Sequence, residues 1–412
     1  MARFDGIIPV GMETFGKFEL LAPLAQGGMA ELFLARQRGM GVVEQMLVLK
    51  RILPHLAVQP EFLKMFVQET RIAALLDHPN IVPIYDLGHV QGRYFLAMPY
   101  VGGLTMKIML EAGMQAGIQL PLEVACAMVL QVLDGLSYAH QRTRFDGTPL
   151  NVVHHDLCPS NLVIAESGQV LLLDFGIARA ADTAQPDARR GPVRGSLSYM
   201  SPEQCRGDAV DQRSDLFSLG VVFHELLTMR RLFWRETQVQ TLRALVDGPI
   251  ANPVEHRPEL PPRLAQVVMR ALQRDPAARH ESAELMRQDL ERAMQTAHLS
   301  GGPADIARCM SDSFAAELAS ERELAHRARS GGAAREKGQA PRRVRRSRRW
   351  HYLAGALALV CITLGGLGIR SCLAAPPGQA RQSCSTHCTT ASRSASEPMA
   401  VVISWSKSMA WR

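Results

Sequence analysis

The chain has 412 residues, of which 47% are hydrophobic, and a formal net charge of +7. This length accommodates a two-lobed domain with additional segments, and the apolar content is typical of a globular protein rather than a disordered one. Residues 330–349 contain eight Lys or Arg and one Glu, and so account for the whole excess of positive charge. The remainder is close to neutral, so the basic balance does not indicate a nucleic-acid partner.

Four cysteines are scattered through the globular part without the spacing of a metal site, which predicts reduced thiols; they are Cys126, Cys158, Cys205 and Cys309. The first ten residues contain Arg3 and Asp5 and no sustained apolar run. No signal peptide is therefore expected.

The N-terminal part is predicted to form strands around a glycine-containing turn. Residues 18–25 and 31–37 read FELLAPLA and ELFLARQ, a strand-like pattern, and the turn between them reads QGGMA. Gly27 and Gly28 of this turn let a backbone approach phosphate oxygens and offer its N–H groups to them. The next apolar run, LVLK, ends at Lys50.

A helix is predicted near residues 61–76, because Pro60 suits its first turn, and this helix carries Glu69. A strand follows at 93–101, which reads RYFLAMPYV. The mostly apolar residues 122–142 predict a buried helix.

The most informative block is a predicted β-hairpin formed by residues 162–165 and 170–173. Asp156 and Asn161 precede its first strand, and Asp174 follows its second. The hairpin thus brings a carboxylate, an amide and a second carboxylate to one rim. Phosphoryl transfer with magnesium needs such a set, one carboxylate for the hydroxyl and the other two groups for the metal.

In combination, these motifs resemble the catalytic domain of bacterial eukaryotic-like serine/threonine protein kinases. The family pattern H-R-D-x-K-x-x-N followed by D-F-G resembles residues 154–176, and its G-x-G-G-M-G loop resembles the QGGMA turn. Residues 195–203, GSLSYMSPE, resemble the end of a kinase activation loop. The resemblance covers residues 18–297 and implies an α+β, bilobal kinase fold: a small β-rich N-lobe with helix C, and a larger, mainly helical C-lobe.

The resemblance implies a catalytic role for three residues. Asp156 would orient the substrate hydroxyl and accept its proton, while Lys50, paired with Glu69, would contact the α- and β-phosphates of ATP. Asn161 and Asp174 would bind Mg²⁺.

The resemblance also implies where ATP lies. Its phosphates would lie under Gly27 and Gly28. Its adenine would bond to the carbonyl of Pro99 and the N–H of Val101, with Met98 at the gatekeeper position.

Further motif residues have structural roles in the family. Asp215 matches the residue that braces the catalytic loop. Arg279 matches the arginine that pairs with the glutamate of the S-P-E segment, which is residues 201–203 here, so its partner is Glu203.

Three departures from the family pattern bear on activity. Ala25 and Ala30 replace two glycines of the phosphate loop. His155 replaces the arginine that commonly grips an activation-loop phosphate, which predicts a loop not switched mainly by phosphorylation. Cys158 replaces a lysine that neutralises the transferred phosphoryl group, which predicts slower transfer.

The resemblance therefore implies a kinase that transfers the γ-phosphate of ATP to Ser/Thr hydroxyls of protein substrates in signal transduction. Two alternatives stay open: a weakly active or inactive ATP-binding module that signals by conformation, and a small-molecule phosphotransferase. The S-P-E segment, which docks protein substrates in the family, argues against the second.

The C-terminal part is predicted to anchor the chain in a membrane. Residues 1–17 are a leader, 298–349 a basic juxtamembrane linker with a helical portion near 304–329, 350–370 a transmembrane helix, and 371–412 a short extracytoplasmic tail. Eighteen residues from 352 carry no charge, which suffices for one span.

Six arginines precede this predicted span. They place the kinase domain in the cytoplasm at the inner membrane, by the positive-inside rule, and offer contacts to anionic lipids. Small residues in the span are compatible with a homodimer.

Overall fold

The computed structural model describes residues 13–37, 45–144, 146–175 and 197–333. Its N-terminal lobe is an antiparallel sheet in the order β1-β2-β3-β4-β6-β5. The strands are β1 (Glu13–Phe15), β2 (Phe18–Gln26), β3 (Ala30–Gln37), β4 (Met46–Ile52), β5 (Asp86–Val90) and β6 (Arg93–Pro99).

Aromatic residues fill the interior of this sheet. Phe95 meets Phe15 and Phe18 edge-on, with ring centroids 5.6 and 5.3 Å apart, the arrangement that the aromatic quadrupole favours. On another part of the lobe, Phe62 and Phe66 are buried in a second apolar cluster. Both belong to helix α2 (Pro60–Ala73), which follows the short α1 (Pro54–Ala57). Helix α2 ends three residues before the predicted boundary.

The C-terminal lobe combines a small sheet with a helical core. The sheet has the order β7-β8-β9, with β7 (Gly103–Thr105), β8 (Leu162–Ala165) and β9 (Val170–Leu172). The helices up to residue 296 are α3 (Met106–Ala116), α4 (Leu122–His140), α5 (Pro202–Arg206), α6 (Gln212–Thr228), α7 (Gln238–Val246), α8 (Pro262–Ala271) and α9 (Ala283–Thr296). Short 3₁₀ turns lie at Pro159–Asn161, Leu197–Tyr199, Pro253–Glu255 and Pro276–Ala278.

Helix α4 lies at the centre of this lobe and contacts α6, α9 and β9. These neighbours bury most of the helix, which explains why it is apolar on nearly every side. Among the described helices, α4 is the one whose length and apolar composition match a membrane span, but its burial accounts for that composition. The predicted span at 350–370 lies outside the described residues.

The predicted hairpin is confirmed. Strands β8 and β9 pair antiparallel, with Leu162 opposite Leu172 and Ile164 opposite Val170. Gly168 in the turn has a φ of +82°, which favours glycine. A Cβ at this position would overlap the carbonyl oxygen of Pro303.

The helical portion predicted near residues 304–329 is confirmed, but it packs on the domain instead of forming a linker. Helices α10 (Pro303–Ser313) and α11 (Ala315–Ala333) pack on the domain. Ile306, Met310, Phe314 and Leu318 are buried in the C-lobe core. Ile306 and Met310 lie on one face of α10, Phe314 lies at the break between the two helices, and Leu318 is in the first turns of α11. The Ala- and Arg-rich composition obscures this apolar pattern. The packed part of the chain therefore extends beyond residue 297.

His224, on α6, is almost completely buried, and its Nε2–H donates to the carbonyl oxygen of Ala251 at 3.0 Å. Burial lowers the pKa of this imidazole to about 4, so the folded state binds its proton less well than the unfolded state. Stability linked to this group is therefore complete above its ordinary pKa of about 6.5 and falls as the pH drops toward 4.

We expect His224→Gln, which keeps a donor for Ala251, to lose less stability than the wild type on acidification. The linkage predicts about 2 kcal/mol of difference between pH 7 and pH 5. Denaturant unfolding of both proteins at the two pH values measures it. Equal losses in the two proteins would contradict the lowered pKa.

Candidate active site

A buried carboxylate positions the catalytic loop. Asp215, near the start of α6, accepts hydrogen bonds from the backbone N–H groups of His154 (2.8 Å) and His155 (3.0 Å). His140, at the end of α4, contacts the same carboxylate through Nε2 at 2.8 Å. Burial alone would raise the pKa of Asp215, but these partners outweigh it and leave the pKa lowered. Asp215 thus remains ionised at neutral pH.

The loop held by Asp215 has unusual backbone geometry. His155 has a φ of +67°, in the left-handed region that non-glycine residues rarely adopt. Its carbonyl oxygen accepts a hydrogen bond from Nε2 of Gln204 at 2.7 Å. Gln204 also forms a capping box with Ser201 at the start of α5. The S-P-E segment is therefore tied directly to the catalytic loop.

Asp156 and Asn161 lie together at the end of this loop. The amide Nδ2 of Asn161 donates to the backbone oxygen of Asp156 (2.8 Å) and to its carboxylate Oδ2 (3.0 Å). Burial raises the pKa of Asp156; His154 and the Asn161 hydrogen bond act against this, and the charge of Asp174 adds to it. A carboxylate with a raised pKa is a stronger base, which suits proton abstraction from a hydroxyl.

Lys50 and Asp174 form an ion pair across the two lobes. Lys50, on β4, is buried, and its Nζ lies 2.8 Å from Oδ2 of Asp174. Asp174 follows β9 and has a φ of +60°. The preceding Leu173 carbonyl accepts a hydrogen bond from the His154 ring at 2.8 Å, and that ring packs on Phe175 at 4.7 Å. These contacts fix the backbone on both sides of Asp174.

The remaining oxygen of Asp174 is suited to a cation. Oδ1 is buried and has no hydrogen-bond partner among the described residues. An ionised oxygen in this position is costly unless a positive charge compensates it, and carboxylate and amide oxygens are ligands that magnesium accepts. The described ranges contain no cluster of three His, Cys, Asp or Glu residues that would hold a metal. The residues therefore fit a metal that takes its other ligands from a phosphate substrate.

The predicted nucleotide-binding residues line up along the N-lobe. Gly27 and Gly28 lie between β2 and β3, where Gly27 N–H donates to the Ala30 carbonyl at 2.9 Å, and a Cβ at Gly28 would meet no atom within 4 Å. Pro99 ends β6, and Val101 packs in an apolar cluster beyond it. The roles in phosphate and adenine binding that the resemblance implies for these residues stay predictions.

Met98, on β6, lines a small internal cavity. The cavity measures about 20 Å³ and is bounded by apolar side chains together with Asp174 and Phe175. Met98 itself is buried, and the gatekeeper position that the resemblance implies for it stays a prediction.

Some predicted features are not described. The side chain of Glu69 and residues 176–196, including most of the predicted activation loop, lie outside the described part of the chain. The Lys50–Glu69 pair therefore stays a prediction. Residues 197–203 are described, and the predicted Arg279–Glu203 lock is confirmed by two hydrogen bonds of 2.6 and 2.7 Å.

Sequence reasoning missed three site contacts. The Lys50–Asp174 pair joins residues far apart in the chain, as does the His140–Asp215 pair. The Gln204 hydrogen bond to His155 has no local sequence signal, because Gln204 also reads as an ordinary capping residue. His140 had a weak signal, since it ends the helix that delivers the catalytic loop.

Cys158 is 3% exposed and lies in the C-lobe core. Burial, followed by the Asp156 charge, raises the pKa of its thiol. The thiol therefore remains neutral and supplies no charge to the site.

The fold and the site together define a protein kinase: a β-rich lobe with a buried lysine, a helical lobe with a braced H-x-D loop, and an aspartate between them. The model of the protein kinase domain family matches residues 18–290, and this chain belongs to that family.

Several bacterial proteins are similar to the chain. Tyrosine-protein kinase MasK of Myxococcus xanthus is 40% identical over 82% of this chain and 53% of its own length. Serine/threonine-protein kinase PrkC of Bacillus subtilis is 30% identical over 87% of this chain and 53% of its own length. The chain thus spans about half the length of these curated relatives.

A solved structure has the same architecture. The crystal structure of the Mycobacterium tuberculosis PknI kinase domain is 28% identical, with a TM-score of 0.52 over 69% of this chain and 98% of that domain.

Proposed function

We propose that this chain is a serine/threonine protein kinase that transfers the γ-phosphate of ATP to hydroxyl groups of protein substrates. The observation that carries the proposal is the Asp156–Asn161 pair beside the Lys50–Asp174 pair. Both Lys50 and Asp174 are near enough to influence the pKa of Asp156. A base, a phosphate-binding cation and two metal ligands thus share one cleft, as phosphoryl transfer requires.

In this mechanism, Asp156 orients the attacking hydroxyl and accepts its proton. Asn161 keeps the Asp156 carboxylate in place and, with Asp174, would hold magnesium. When bound, magnesium neutralises charge on the phosphates. Lys50 binds the α- and β-phosphates. Its ion pair with Asp174 places its ammonium group beside one of the two residues that would hold magnesium.

A protein substrate is favoured over a small molecule by the construction of the S-P-E segment. Glu203 is held by the buried Arg279, and the hydroxyl of Tyr199 donates to Glu225 at 2.7 Å. Such buried ionic contacts keep residues 197–203 in a fixed shape next to the catalytic loop. A fixed surface at this point suits docking of a polypeptide chain.

The acceptor hydroxyl needs its own measurement. PrkC is named a serine/threonine kinase, whereas MasK is named a tyrosine kinase. The neutral Cys158 stands where serine/threonine kinases usually carry a lysine, which makes tyrosine phosphorylation the second candidate. Mass spectrometry of the phosphorylated residues in a model substrate distinguishes the two.

Replacing Asp156 by asparagine tests the proposal directly. We expect Asp156→Asn to slow transfer from labelled ATP to a model protein by about 10²- to 10⁴-fold, because it removes the general base. Binding of magnesium ATP should remain near the wild-type value. The control is Asp146→Asn, which removes an exposed carboxylate hydrogen-bonded to Thr148. Transfer by Asp156→Asn at the control rate would refute the assigned role.

Cys158→Lys should accelerate phosphoryl transfer. The introduced ammonium would lie near Asp156 and the transferred group, and a single preorganised charge of this kind is typically worth about 10²-fold in rate. We expect a gain of at least about tenfold in single-turnover rate with the KM for ATP nearly unchanged, the pattern of a transition-state contact. Cys158→Met controls for side-chain length. An equal or slower rate in Cys158→Lys than in Cys158→Met would mean that no cation is needed there.

We further propose a single membrane span at residues 350–370 with the kinase domain in the cytoplasm. The support is the charge-free run and the arginines on one side of it. A reporter fused after Arg412 should behave as periplasmic, and one fused after Gly11 as cytoplasmic. Replacing the six arginines between 341 and 349 by glutamine should weaken this orientation. A cytoplasmic reporter after Arg412 in the parent chain would exclude the single span.

A further inference from the structure

Helix α11 touches both lobes of the domain. It contacts β2 of the N-lobe sheet and β7, the first strand after the hinge. Its 19 residues span about 28 Å, which is long enough to reach from one lobe to the other. Within the described residues, α11 therefore forms a further connection between the lobes, in addition to the hinge and the Lys50–Asp174 ion pair.

The start of α11 is anchored to the C-lobe. Phe314, just before the helix, and Leu318, in its first turns, are buried in the C-lobe core. The guanidinium of Arg322 then donates from Nε and Nη2 to the two carboxylate oxygens of Glu166, both at 2.8 Å. Glu166 follows β8, and its backbone N–H donates to the carbonyl of Gly102 in the hinge at 3.1 Å. The two-point ion pair thus links α11 to the hinge through one residue.

The rest of α11 lies close to the hinge and the N-lobe. Ala325 and Ala328 are buried and do not belong to the C-lobe core cluster, and such small residues permit close approach of a helix. The hinge residue Tyr100 is half-buried. Burial first, and then the nearby charge of Glu321, raise the pKa of its phenol. The face of α11 that carries Leu318, Ala325 and Ala328 is therefore packed against the domain.

We propose that α11 is a strap that fixes the angle between the two lobes and so sets how tightly the cleft holds nucleotide. The cleft closes by rotation about the hinge, and a helix attached on both sides of that hinge resists opening. The nucleotide part of this inference rests on the proposed kinase function.

The first test uses charge reversal in the full-length protein. Arg322→Glu places two carboxylates opposite each other. Because the pair is about half exposed, with side-chain exposures of 61% and 42%, we expect a modest effect, about threefold weaker binding of magnesium ADP. The double variant Arg322→Glu, Glu166→Arg restores an opposite-charge pair and should recover the affinity. Arg327→Glu is the control, since Arg327 pairs only with the exposed Glu323 on the same helix among the contacts described.

The second test displaces the helix. Ala325→Trp is too large for its buried position and should loosen α11, with faster amide hydrogen exchange in residues 315–333 and 99–103 and at least about tenfold weaker binding of magnesium ADP. Loosened α11 amides with wild-type affinity and unchanged exchange at the hinge would overturn the strap. Unchanged exchange in α11 itself would overturn it as well, because the packing would then not be as described.

The outcomes separate the strap from the proposed function. A wild-type protein that binds no magnesium ADP would count against the kinase proposal. Amide hydrogen exchange at hinge residues 99–103 of Ala325→Trp would still test the strap proposal. Faster exchange than in the wild type supports the proposal, and unchanged exchange rejects it.

Discussion

The buried carboxylate of Asp215 is the interaction on which the rest of the site depends. It is 1% exposed and accepts two backbone N–H groups and one imidazole N–H. A charge at this depth is tolerated only when its hydrogen bonds are complete, and removing a partner from such a set costs about 3–5 kcal/mol. The hydrogen bonds to this carboxylate compensate the conformational cost of the left-handed backbone at His155. They also fix the position of the backbone that leads to Asp156. The position of Asp156, the proposed base, therefore depends on a residue of α6 that accepts hydrogen bonds from the loop backbone.

A second buried ion pair, between Arg279 and Glu203, fixes residues 197–203, where a protein substrate would dock in the proposed function. Arg279 binds both oxygens of Glu203 and stacks on Phe217, with its guanidinium carbon 4.9 Å from the ring centroid. Arg279 outweighs the effect of burial and lowers the pKa of Glu203, so the pair stays ionised at neutral pH. Gln204 lies on helix α5 with Glu203, and its side-chain amide donates a hydrogen bond to the His155 carbonyl. The loop that carries Asp156 and helix α5 are thus parts of one hydrogen-bonded unit.

The sequence predicted those parts of the site whose residues are close together in the chain. The strand Leu162–Ala165, its partner Val170–Leu172 and the polar residues at their ends were all predicted, because a hairpin places near neighbours in sequence near each other in space. The Arg279–Glu203 pair was recognised only through the family resemblance. Contacts between distant segments, such as Lys50 with Asp174, carry no local signal.

The packing of the helices after residue 297 was likewise not evident from the local sequence. Their apolar residues recur every four positions, but alanine and arginine between them give the composition of a linker. The bidentate contact of Arg322 with Glu166 joins residues 156 positions apart, and only the folded chain reveals that the helix has a surface to pack on.

The methionine that precedes Pro99 decides how much room lies beside Asp174. Met98 lines a cavity of about 20 Å³ together with Asp174 and Phe175, a volume that holds about one water molecule and no ring. Its unbranched, flexible side chain adapts to its neighbours. A shorter side chain at this position would enlarge the cavity, so the size of any group that enters it is set by this one residue.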